Sequence, residues 1–412
     1  MDITLDNRTL SGSVKVIPSK SYAHRILLGA SLAGLTGGGK TEILLENDSE
    51  DIRATKRVIA GLLSREGVLD CGESGTTLRF MVPVCAALGL QAETRFTGHG
   101  RLMQRPMEPL LRAMEPHGVT FRYEENMLVC HGHLSAGEYT IEAGVSSQFI
   151  SGLLYALPLL EGDSVLKLTG MVESRPYIDI TLDVLKDFGI QIRETEPECG
   201  ESVRFEIPGG QIYCGPAKLA AEGDWSNAAF WLAAGAIGGE PVTVTGLNLD
   251  SVQGDRAISD VLREFGASVT EDAEAGSVTC AGPDGGMLKG CDIDAKDIPD
   301  LVPVISVVAA AAQGDTRIYN AGRLRIKESD RLVTLTAMLT ALGASVEEGD
   351  DFLLIHGEGG LRRGMVDGAG DHRIVMSAAV AAGLCCEPVI ILGAEAVNKS
   401  YPGFFEERER LL

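Results

Sequence analysis

Charged residues that could perform acid–base chemistry cluster at positions 323–331. This segment combines several basic side chains with the carboxylate of Glu328. Lys327 and Arg331 are four residues apart, a spacing that predicts a shared face of one helix. Cations grouped in this way can bind a polyanion and can hold a carboxylate for proton transfer. The alternative is a surface helix whose charges simply pair with one another.

Three further positions place a charge where it could act on a ligand. Asp300 precedes a strongly apolar stretch, so it is either a helix N-cap or a general base that neighbouring cations keep ionised. Asp371 is a second N-cap candidate, and Arg373 beside it offers a forked donor for carboxylate or phosphate. Lys399 lies in a short tail bounded by glycine and proline, where a surface lysine is the simpler interpretation.

Basic residues also lie near two helix starts in the first half of the chain. Lys20 falls in the first turn of a predicted helix, where the helix dipole disfavours a cation unless an anion binds. Arg25 follows on roughly the same face. Arg105-Pro106 is predicted to begin another helix, with proline at the favoured first position. A solvated basic helix start is the alternative for the segment around Lys20.

The elements that carry these residues repeat along the chain. Each copy begins with a polar or charged cluster, continues as an apolar helix that ends near glycine, and then becomes β-rich. Helix starts expose unpaired N–H groups and attract anions. The clusters are Ser19-Lys20-Ser21, Ser74-Gly75-Thr76, Ser146-Ser147-Gln148, Asp224-Trp225-Ser226, Ile298-Pro299-Asp300 and Asp371-His372-Arg373.

A second, amphipathic helix in the central copies ends on a recurring phrase with glycine near its centre. These glycines are Gly118, Gly189, Gly266 and Gly343, which are 71, 77 and 77 residues apart. We expect each to be a left-handed C-cap. Spacings this even indicate internal duplication. One unit is predicted to be helix, strand, helix and at least two more strands, with the first and last units truncated.

Six units in one chain predict an α/β (α+β) protein of two similar domains with three units each. The predicted domains are residues 19–222, and residues 1–18 together with 223–412. Apolar helices that are hydrophobic nearly all round should lie parallel at the centre of each domain, inside a coat of sheets and amphipathic helices. Their starts would then line an interdomain cleft, with hinges near Pro18 and Glu222 that close on a ligand. An open solenoid is the alternative.

Composition excludes several kinds of partner. The net charge of the 412 residues is −22, which disfavours nucleic acid and anionic membranes as partners. Nine cysteines are present without a Cys-x-x-Cys pair, so we expect reduced thiols and no metal site. The start of the chain has no visible signal peptide, and the apolar stretch 301–312 is too short to span a bilayer. A cytoplasmic protein is therefore expected.

Residues 34–41 match the Walker A pattern letter by letter. A phosphate-binding P-loop needs a strand before the glycine-rich segment and a helix after it. Here the predicted order is reversed, with the helix before the loop and a strand after it. We therefore expect no ATPase activity.

The charged clusters together resemble the 5-enolpyruvylshikimate-3-phosphate synthase family of enolpyruvyl transferases, over essentially the whole chain. The motifs that carry the resemblance are Pro18-Ser19-Lys20-Ser21 with Arg25, Ser74-Gly75-Thr76-Thr77-Leu78-Arg79, Gln104-Arg105-Pro106, Ser146-Ser147-Gln148-Phe149, Ser174-Arg175-Pro176-Tyr177, Ile298-Pro299-Asp300, Lys327-Glu328-Ser329-Asp330-Arg331, Asp371-His372-Arg373 and Lys399. The family fold has two domains of three similar units each. The resemblance implies transfer of an enolpyruvyl group from phosphoenolpyruvate to the 5-hydroxyl of shikimate 3-phosphate through a tetrahedral intermediate.

Roles for individual residues follow from the same resemblance. It implies that shikimate 3-phosphate is held by Lys20, Ser21, Arg25, Ser146, Ser147, Gln148, Ser174, Asp300 and Lys327. It implies that phosphoenolpyruvate is held by Lys20, Gly75, Arg105, Gln148, Arg331, Arg373 and Lys399. Asp300 would accept the hydroxyl proton, Glu328 would protonate the methylene carbon, and Lys20 would assist. No cofactor or metal is implied, and we expect a monomer.

Two departures and two rival interpretations accompany the resemblance. Glu73 and Arg323 stand where the family usually has asparagine, although the second alignment could slip by one residue. Sister enzymes that use UDP-N-acetylglucosamine carry a loop cysteine, and no cysteine occurs between Cys85 and Cys130. A non-catalytic anion-binding protein would need the cations but not the carboxylates of Asp300 and Glu328.

Overall fold

The computed structural model describes residues 1–46, 48–195, 203–238 and 240–412. Cys199, one of the nine cysteines, lies outside these ranges. The chain divides into two compact units. The split unit comprises Met1–Ser19 and Glu222–Leu412, and the continuous unit comprises Lys20–Ala221.

The described ranges contain twelve α-helices. In chain order they are α1 (Lys20–Thr36), α2 (Glu50–Ser64), α3 (Gly75–Leu88), α4 (Glu108–Met114), α5 (Ser147–Ala156), α6 (Arg175–Asp187), α7 (Trp225–Gly238), α8 (Ile258–Glu264), α9 (Val302–Ala311), α10 (Arg331–Ala341), α11 (His372–Ala381) and α12 (Phe404–Arg410). The odd-numbered helices start at or next to the six polar clusters and are largely buried. Every residue of α9 is buried, which confirms an apolar helix at the centre of a core.

The recurring glycines follow α4, α6, α8 and α10 as expected, the first of them after a short 3₁₀ turn. Gly118, Gly189, Gly266 and Gly343 have φ angles of 97°, 74°, 92° and 89°. Positive φ is strained for a residue with a Cβ, so glycine is the residue that allows the chain to turn sharply into the next strand.

Twenty-one strands are found in the described ranges. They are β1 (Ile3–Leu5), β2 (Gly12–Lys15), β3 (Glu42–Leu44), β4 (Val68–Asp70), β5 (Glu93–Thr97), β6 (Val119–Glu124), β7 (Met127–Gly132), β8 (Glu138–Glu142), β9 (Ser164–Thr169), β10 (Arg193–Thr195), β11 (Arg204–Ile207), β12 (Lys218–Ala220), β13 (Val242–Thr245), β14 (Ser268–Asp272), β15 (Ser277–Ala281), β16 (Asp292–Asp294), β17 (Gln313–Tyr319), β18 (Ser345–Glu348), β19 (Leu353–Glu358), β20 (Gly364–Asp367) and β21 (Val389–Leu392).

The sheets repeat one topology, which confirms the internal duplication. Four-stranded sheets have the orders β4-β5-β7-β6 and β8-β9-β11-β10 in the continuous unit, and β2-β13-β15-β14 and β16-β17-β19-β18 in the split unit. In each, the first two strands are parallel, and the remaining two join by antiparallel pairing. The truncated copies keep the parallel pair alone, as β3 with β12, or with one added strand, as β20-β21-β1.

Two strands, β2 and β12, each pair with a strand from a different repeat copy than the one that adjoins them in the sequence. β2 precedes α1 but pairs with β13, which follows α7. β12 precedes α7 but pairs with β3, which follows α1. Beside the crossing, Ser19 donates its backbone N–H to the carbonyl of Glu222 at 2.7 Å. Residues 1–19 therefore belong to the same sheets as the second half of the chain.

Each unit has its own hydrophobic core. The core of the split unit surrounds α7, α9 and α11, where Trp225 and Trp231 are fully buried and Trp231 stacks on Phe404 at 4.8 Å. The core of the continuous unit surrounds α3 and α5. Within the described ranges, no helix combines the length and apolar character needed to cross a lipid bilayer.

Two local predictions are wrong. Lys327 does not share a helical face with Arg331: it is extended between a 3₁₀ turn and α10, which begins at Arg331 with Asp330 as its cap. Arg105-Pro106 does not begin a helix, because Arg105 is extended and α4 starts at Glu108. In both segments the residues just before the helix adopt turn or extended conformations, so the helix begins later than the sequence pattern suggests.

The Walker-like segment 34–41 has the reversed order predicted for it. Helix α1 runs into it and strand β3 follows it, so the element directly after the loop is a strand and not a helix start.

Candidate active site

The proposed base, Asp300, lies among cations of the split unit. It is not an N-cap as the simple interpretation has it, because Leu301 holds that position and the carboxylate of Asp300 turns to side chains. Its Oδ1 accepts from Arg331 at 2.8 Å and from Lys327 at 3.4 Å. Its Oδ2 accepts from Arg373 at 3.2 Å. Three positive neighbours favour the ionised carboxylate that a general base requires.

Arg331 holds the two proposed catalytic carboxylates with one guanidinium. In addition to its bond with Asp300, Arg331 donates through Nη2 to Glu328 at 2.8 Å and through Nε to Asp371 at 2.8 Å. The side chain is 1% exposed. Burial works against the charge of Arg331, but Asp371, Glu328 and Asp300 raise its pKa. Arg331 therefore stays charged and fixes the distance between the base and the acid.

Asp371 anchors this network to the start of α11. It accepts from the backbone N–H of Arg373 at 3.0 Å, which confirms it as an N-cap, and from Ser329 at 3.1 Å. Burial alone would raise the pKa of Asp371, but Arg331 holds it below its usual value. Asp371 lies outside the predicted site residues, because its link to Arg331 depends on a contact forty positions away.

Two more lysines reach the same helix starts. Lys399 is 9% exposed, so it is not a surface lysine, and its Nζ donates to the carbonyl of Gly370 at 2.7 Å. Burial lowers the pKa of Lys327 to about 8, although Asp300 opposes that shift. The split unit thus brings together Asp300, Lys327, Glu328, Arg331, Arg373 and Lys399 of the predicted site.

A polar relay in the continuous unit orients Gln148 at the start of α5. Arg79 donates to Oε1 of Gln148 at 2.7 Å, and Nε2 of Gln148 donates to the hydroxyl of Thr76 at 2.8 Å. Arg79 is 4% exposed and lies over the ring of Phe149 at 5.2 Å. It is outside the predicted site residues, although an arginine within the apolar helix α3 is a signal that could have found it.

The starts of α3 and α5 are closely constrained. Ser146 caps α5 by accepting from the N–H of Gln148 at 3.3 Å. A Cβ built on Gly75 would lie 2.6 Å from Nη1 of Arg105, so that guanidinium packs directly over the glycine. Gly75, Ser146, Ser147 and Gln148 therefore lie at the starts of α3 and α5 in one unit, and Arg105 packs against the start of α3.

The start of α1 carries the remaining predicted cations. Lys20 donates to Asp51 of α2 at 2.8 Å. Arg25 is 2% exposed and bonds Thr181 at 2.8 Å and the carbonyls of Ser21 and Tyr177 at 2.8 Å each. Burial lowers the pKa of Arg25 to about 10. These bonds give Arg25 a part in joining α1 to α6, and its contact with substrate stays a prediction.

Ser174 precedes α6 in a left-handed conformation with φ 54° and is 1% exposed. Such a conformation is uncommon for serine, and strained residues concentrate at functional sites.

Glu73, the first departure from the family pattern, lines a cavity of ≈ 360 Å³ together with Glu50, Asp51, Arg53, Arg57, Asp70, Gly72 and His99. In the described part of the chain, no three His, Cys, Asp or Glu side chains are grouped as a metal site.

The arrangement defines a class of chemistry. The split unit presents an ionised carboxylate, a second carboxylate fixed beside it and four cations. The continuous unit presents helix N-termini, hydroxyls, an oriented amide and further cations. Such groups suit a reaction that moves protons between phosphate- and carboxylate-bearing substrates.

Two solved structures with a similar fold are an EPSP synthase and an enolpyruvyl transferase. An EPSP synthase from Acinetobacter baumannii aligns with a TM-score of 0.78 at 25% identity, over 100% of this chain and 97% of that chain. The enolpyruvyl transferase NikO from Streptomyces tendae aligns with a TM-score of 0.77 over 100% and 96%, at 18% identity, a likeness of fold alone. The fold prediction of an α/β enolpyruvyl transferase is confirmed.

Sequence comparison identifies the family. The family model of EPSP synthase (3-phosphoshikimate 1-carboxyvinyltransferase) matches residues 42–407. A 3-phosphoshikimate 1-carboxyvinyltransferase of Clostridium kluyveri is 40% identical over 98% of this chain and 96% of its own length. One from Clostridium perfringens is 41% identical over 98% and 96%. The chain belongs to the EPSP synthase family, and the predicted enzyme class, a transferase of the aromatic amino acid pathway, is confirmed.

Proposed function

We propose that the protein transfers the enolpyruvyl group of phosphoenolpyruvate to the 5-hydroxyl of shikimate 3-phosphate and releases phosphate. The proposal depends on one observation: Arg331 forms ion pairs with both Asp300 and Glu328. Addition across a carbon–carbon double bond needs a proton delivered to one carbon and another taken from the nucleophile. Two carboxylates fixed by one guanidinium suit that pair of tasks.

The proposed reaction is an addition across the double bond of phosphoenolpyruvate followed by elimination of phosphate. Glu328, protonated once the anionic substrates lie beside it, gives its proton to the methylene carbon of phosphoenolpyruvate, and the 5-hydroxyl oxygen bonds to the central carbon. Asp300 accepts the hydroxyl proton, which leaves a tetrahedral intermediate that still carries the phosphate. In the elimination, Glu328 recovers a proton from the new methyl group, the double bond re-forms, the bond to phosphate breaks, and the proton held by Asp300 passes to the departing phosphate.

Cations of the two units are proposed to divide the binding work. On the split unit, Arg373 and Lys399 would hold phosphoenolpyruvate, and Lys327 would face shikimate 3-phosphate. On the continuous unit, Arg105 would hold phosphoenolpyruvate and Lys20 would contact both substrates. The other predicted residues of this unit would bind the substrates that the family resemblance implies for them. Close charge pairs are worth roughly 4 kcal/mol of gross attraction each at an effective dielectric near 20. We propose that both half-sites act on the same substrates and close on them.

Replacing both carboxylates by amides tests the proposal. Asp300→Asn combined with Glu328→Gln keeps the hydrogen-bonding shape but removes the base and the acid. We expect turnover to fall by at least about 10⁴-fold, while calorimetry still detects shikimate 3-phosphate binding. The matched control is Glu274→Gln with Asp284→Asn, both exposed in the split unit. Unchanged turnover in the first variant would indicate that these carboxylates do not perform the chemistry.

A cytoplasmic, monomeric enzyme is the remaining part of the proposal. The described cysteines are free thiols, which suits a reducing compartment. Light scattering at several protein concentrations tests the monomer, and a mass of twice 43.6 kDa would overturn it.

A further inference from the structure

One buried carboxyl group of the split unit lacks the cationic partner that its neighbours have. Asp300, Glu328 and Asp371 each have a guanidinium nitrogen of Arg331 at 2.8 Å. Asp255 is buried, with 4% of the residue exposed, and yet it forms no ion pair with any described residue. A buried charge without a partner is costly, so the protonated form of this group is favoured.

The local geometry of Asp255 agrees with a neutral acid. It lies in a 3₁₀ turn that packs against the start of α7. Its Oδ2 forms a hydrogen bond with the hydroxyl of Ser226, and its Oδ1 is buried with no hydrogen-bond partner among the described residues. An ionised carboxylate would place part of its negative charge on that unpartnered oxygen, and protonation removes that charge while the group can still accept the hydrogen bond from Ser226.

Charged groups from three elements face Asp255. Asp224 and Asp300, at the starts of α7 and α9, repel its ionised form. Arg373 at the start of α11 favours that form, as does the hydrogen bond from Ser226. Burial and the charge of Asp300 prevail and raise the pKa of Asp255 to about 7.

We propose that Asp255 is a positioning residue that carries a proton in the resting enzyme, and so keeps a negative charge away from Asp300 and Arg373. The inference rests on the proposed function of those two residues as base and anion-binding cation. When Asp255 ionises, its charge competes with the anionic substrate for Arg373. Substrate affinity should therefore fall as the pH rises through neutrality.

Infrared spectroscopy of the full-length protein detects the proton directly and needs no activity. The carbonyl stretch of a neutral carboxylic acid should be present at pH 6, decline with a midpoint near 7, and be missing from Asp255→Asn. The matched control Asp250→Asn changes an exposed carboxylate of the preceding loop and should keep the band. Absence of the band from the wild-type protein at pH 6 would overturn the proposal, whatever the activity.

Kinetics then test the consequence for binding. Between pH 6 and pH 8 the KM for phosphoenolpyruvate of the wild type should rise relative to that of Asp255→Asn. The expected change is on the order of tenfold, as for one like charge about 10 Å away at an effective dielectric near 20. A constant KM ratio would overturn the role in binding. Absence of turnover in the wild type would instead overturn the proposed function and leave the infrared result standing.

Ser226→Ala separates this effect from general damage to the fold. The serine hydroxyl favours the ionised carboxylate, so its removal should move the infrared midpoint to higher pH rather than abolish it. An unmoved or lowered midpoint would show that Asp255 is not the group that titrates.

Discussion

Replacing Arg331 with methionine should destabilise the split unit strongly, because the guanidinium neutralises three carboxylates. Arg331 is 1% exposed and Asp371 beside it is fully buried. Methionine has similar length and fills the space, so the loss is mainly electrostatic. Removing one partner of a buried ion pair typically costs about 3–5 kcal/mol, since the remaining charge stays buried. We expect Arg331→Met to fall within that range at pH 8.

The cost should depend on pH in a defined direction. In the wild type the pKa of Asp371 lies below its usual value, so its contribution is present above the unfolded-state pKa and is lost as pH falls through the folded-state pKa. In the variant, burial without the guanidinium raises that pKa above the unfolded-state value. The ionised form is then destabilising above the unfolded-state pKa, and protonation removes the penalty. The difference between the two proteins should therefore shrink from pH 8 to pH 5.

Urea unfolding followed by tryptophan fluorescence measures this unit selectively. Both tryptophans of the chain, Trp225 and Trp231, lie in α7 of the split unit. A loss of about 4 kcal/mol should lower the urea midpoint by about 1–2 M. The matched control is Arg363→Met, which removes an exposed arginine paired with Glu387 and should cost under about 1 kcal/mol.

A cost for Arg331→Met that is no larger than the control, and equal at both pH values, would refute the inference that Arg331 stabilises Asp300, Glu328 and Asp371. That result would mean that the three carboxylates do not depend on this guanidinium. The ionisation of Asp300 would then have to be explained by its other cationic neighbours, which include Lys327 and Arg373.

Three further predictions concern the substrate-binding groups. Gly75→Ala places a Cβ 2.6 Å from Nη1 of Arg105, so the guanidinium must move, and steady-state kinetics should show a KM for phosphoenolpyruvate raised by about tenfold or more with a smaller change in kcat. Arg79→Met removes the donor to Gln148 and should raise the same KM on the order of tenfold, about 1.4 kcal/mol, whereas an unchanged KM would show that the amide orientation is irrelevant. Because the pKa of Lys327 is lowered to about 8, its charge is lost as pH rises through that value, so kcat/KM for shikimate 3-phosphate should decline there and the decline should be absent in Lys327→Arg.

Local sequence patterns predicted the repeat well. The apolar helices and their glycine caps are set by residues within one or two turns of each other, so the pattern at Gly118, Gly189, Gly266 and Gly343 is enough to find them. The alternation of buried and exposed residues in the strands is local in the same way. The exchange of β2 and β12 between copies depends on pairing across more than 170 residues, and no local pattern reports it.

The residue types at the site were predictable, but several of their partners were not. The charges of 323–331 suggested a helix, whereas Asp330 caps α10 and leaves Lys327 extended ahead of it. Both Lys327 and Arg331 still reach Asp300, through tertiary packing rather than a shared helical face. Asp371, Arg79 and Asp255 stayed outside the predicted site because their roles depend on contacts between distant segments.

The assignment of individual residues to substrates stays a prediction, as does closure of the two units. Small-angle scattering with and without both substrates would test closure, and an unchanged radius of gyration would argue against it.

Phosphate release from phosphoenolpyruvate by the purified protein shows whether the enolpyruvyl group is transferred. With shikimate 3-phosphate present, we expect one phosphate for each enolpyruvyl group transferred, and with phosphoenolpyruvate alone we expect none above background. Equal release with and without shikimate 3-phosphate, or no release with both substrates, would contradict the account.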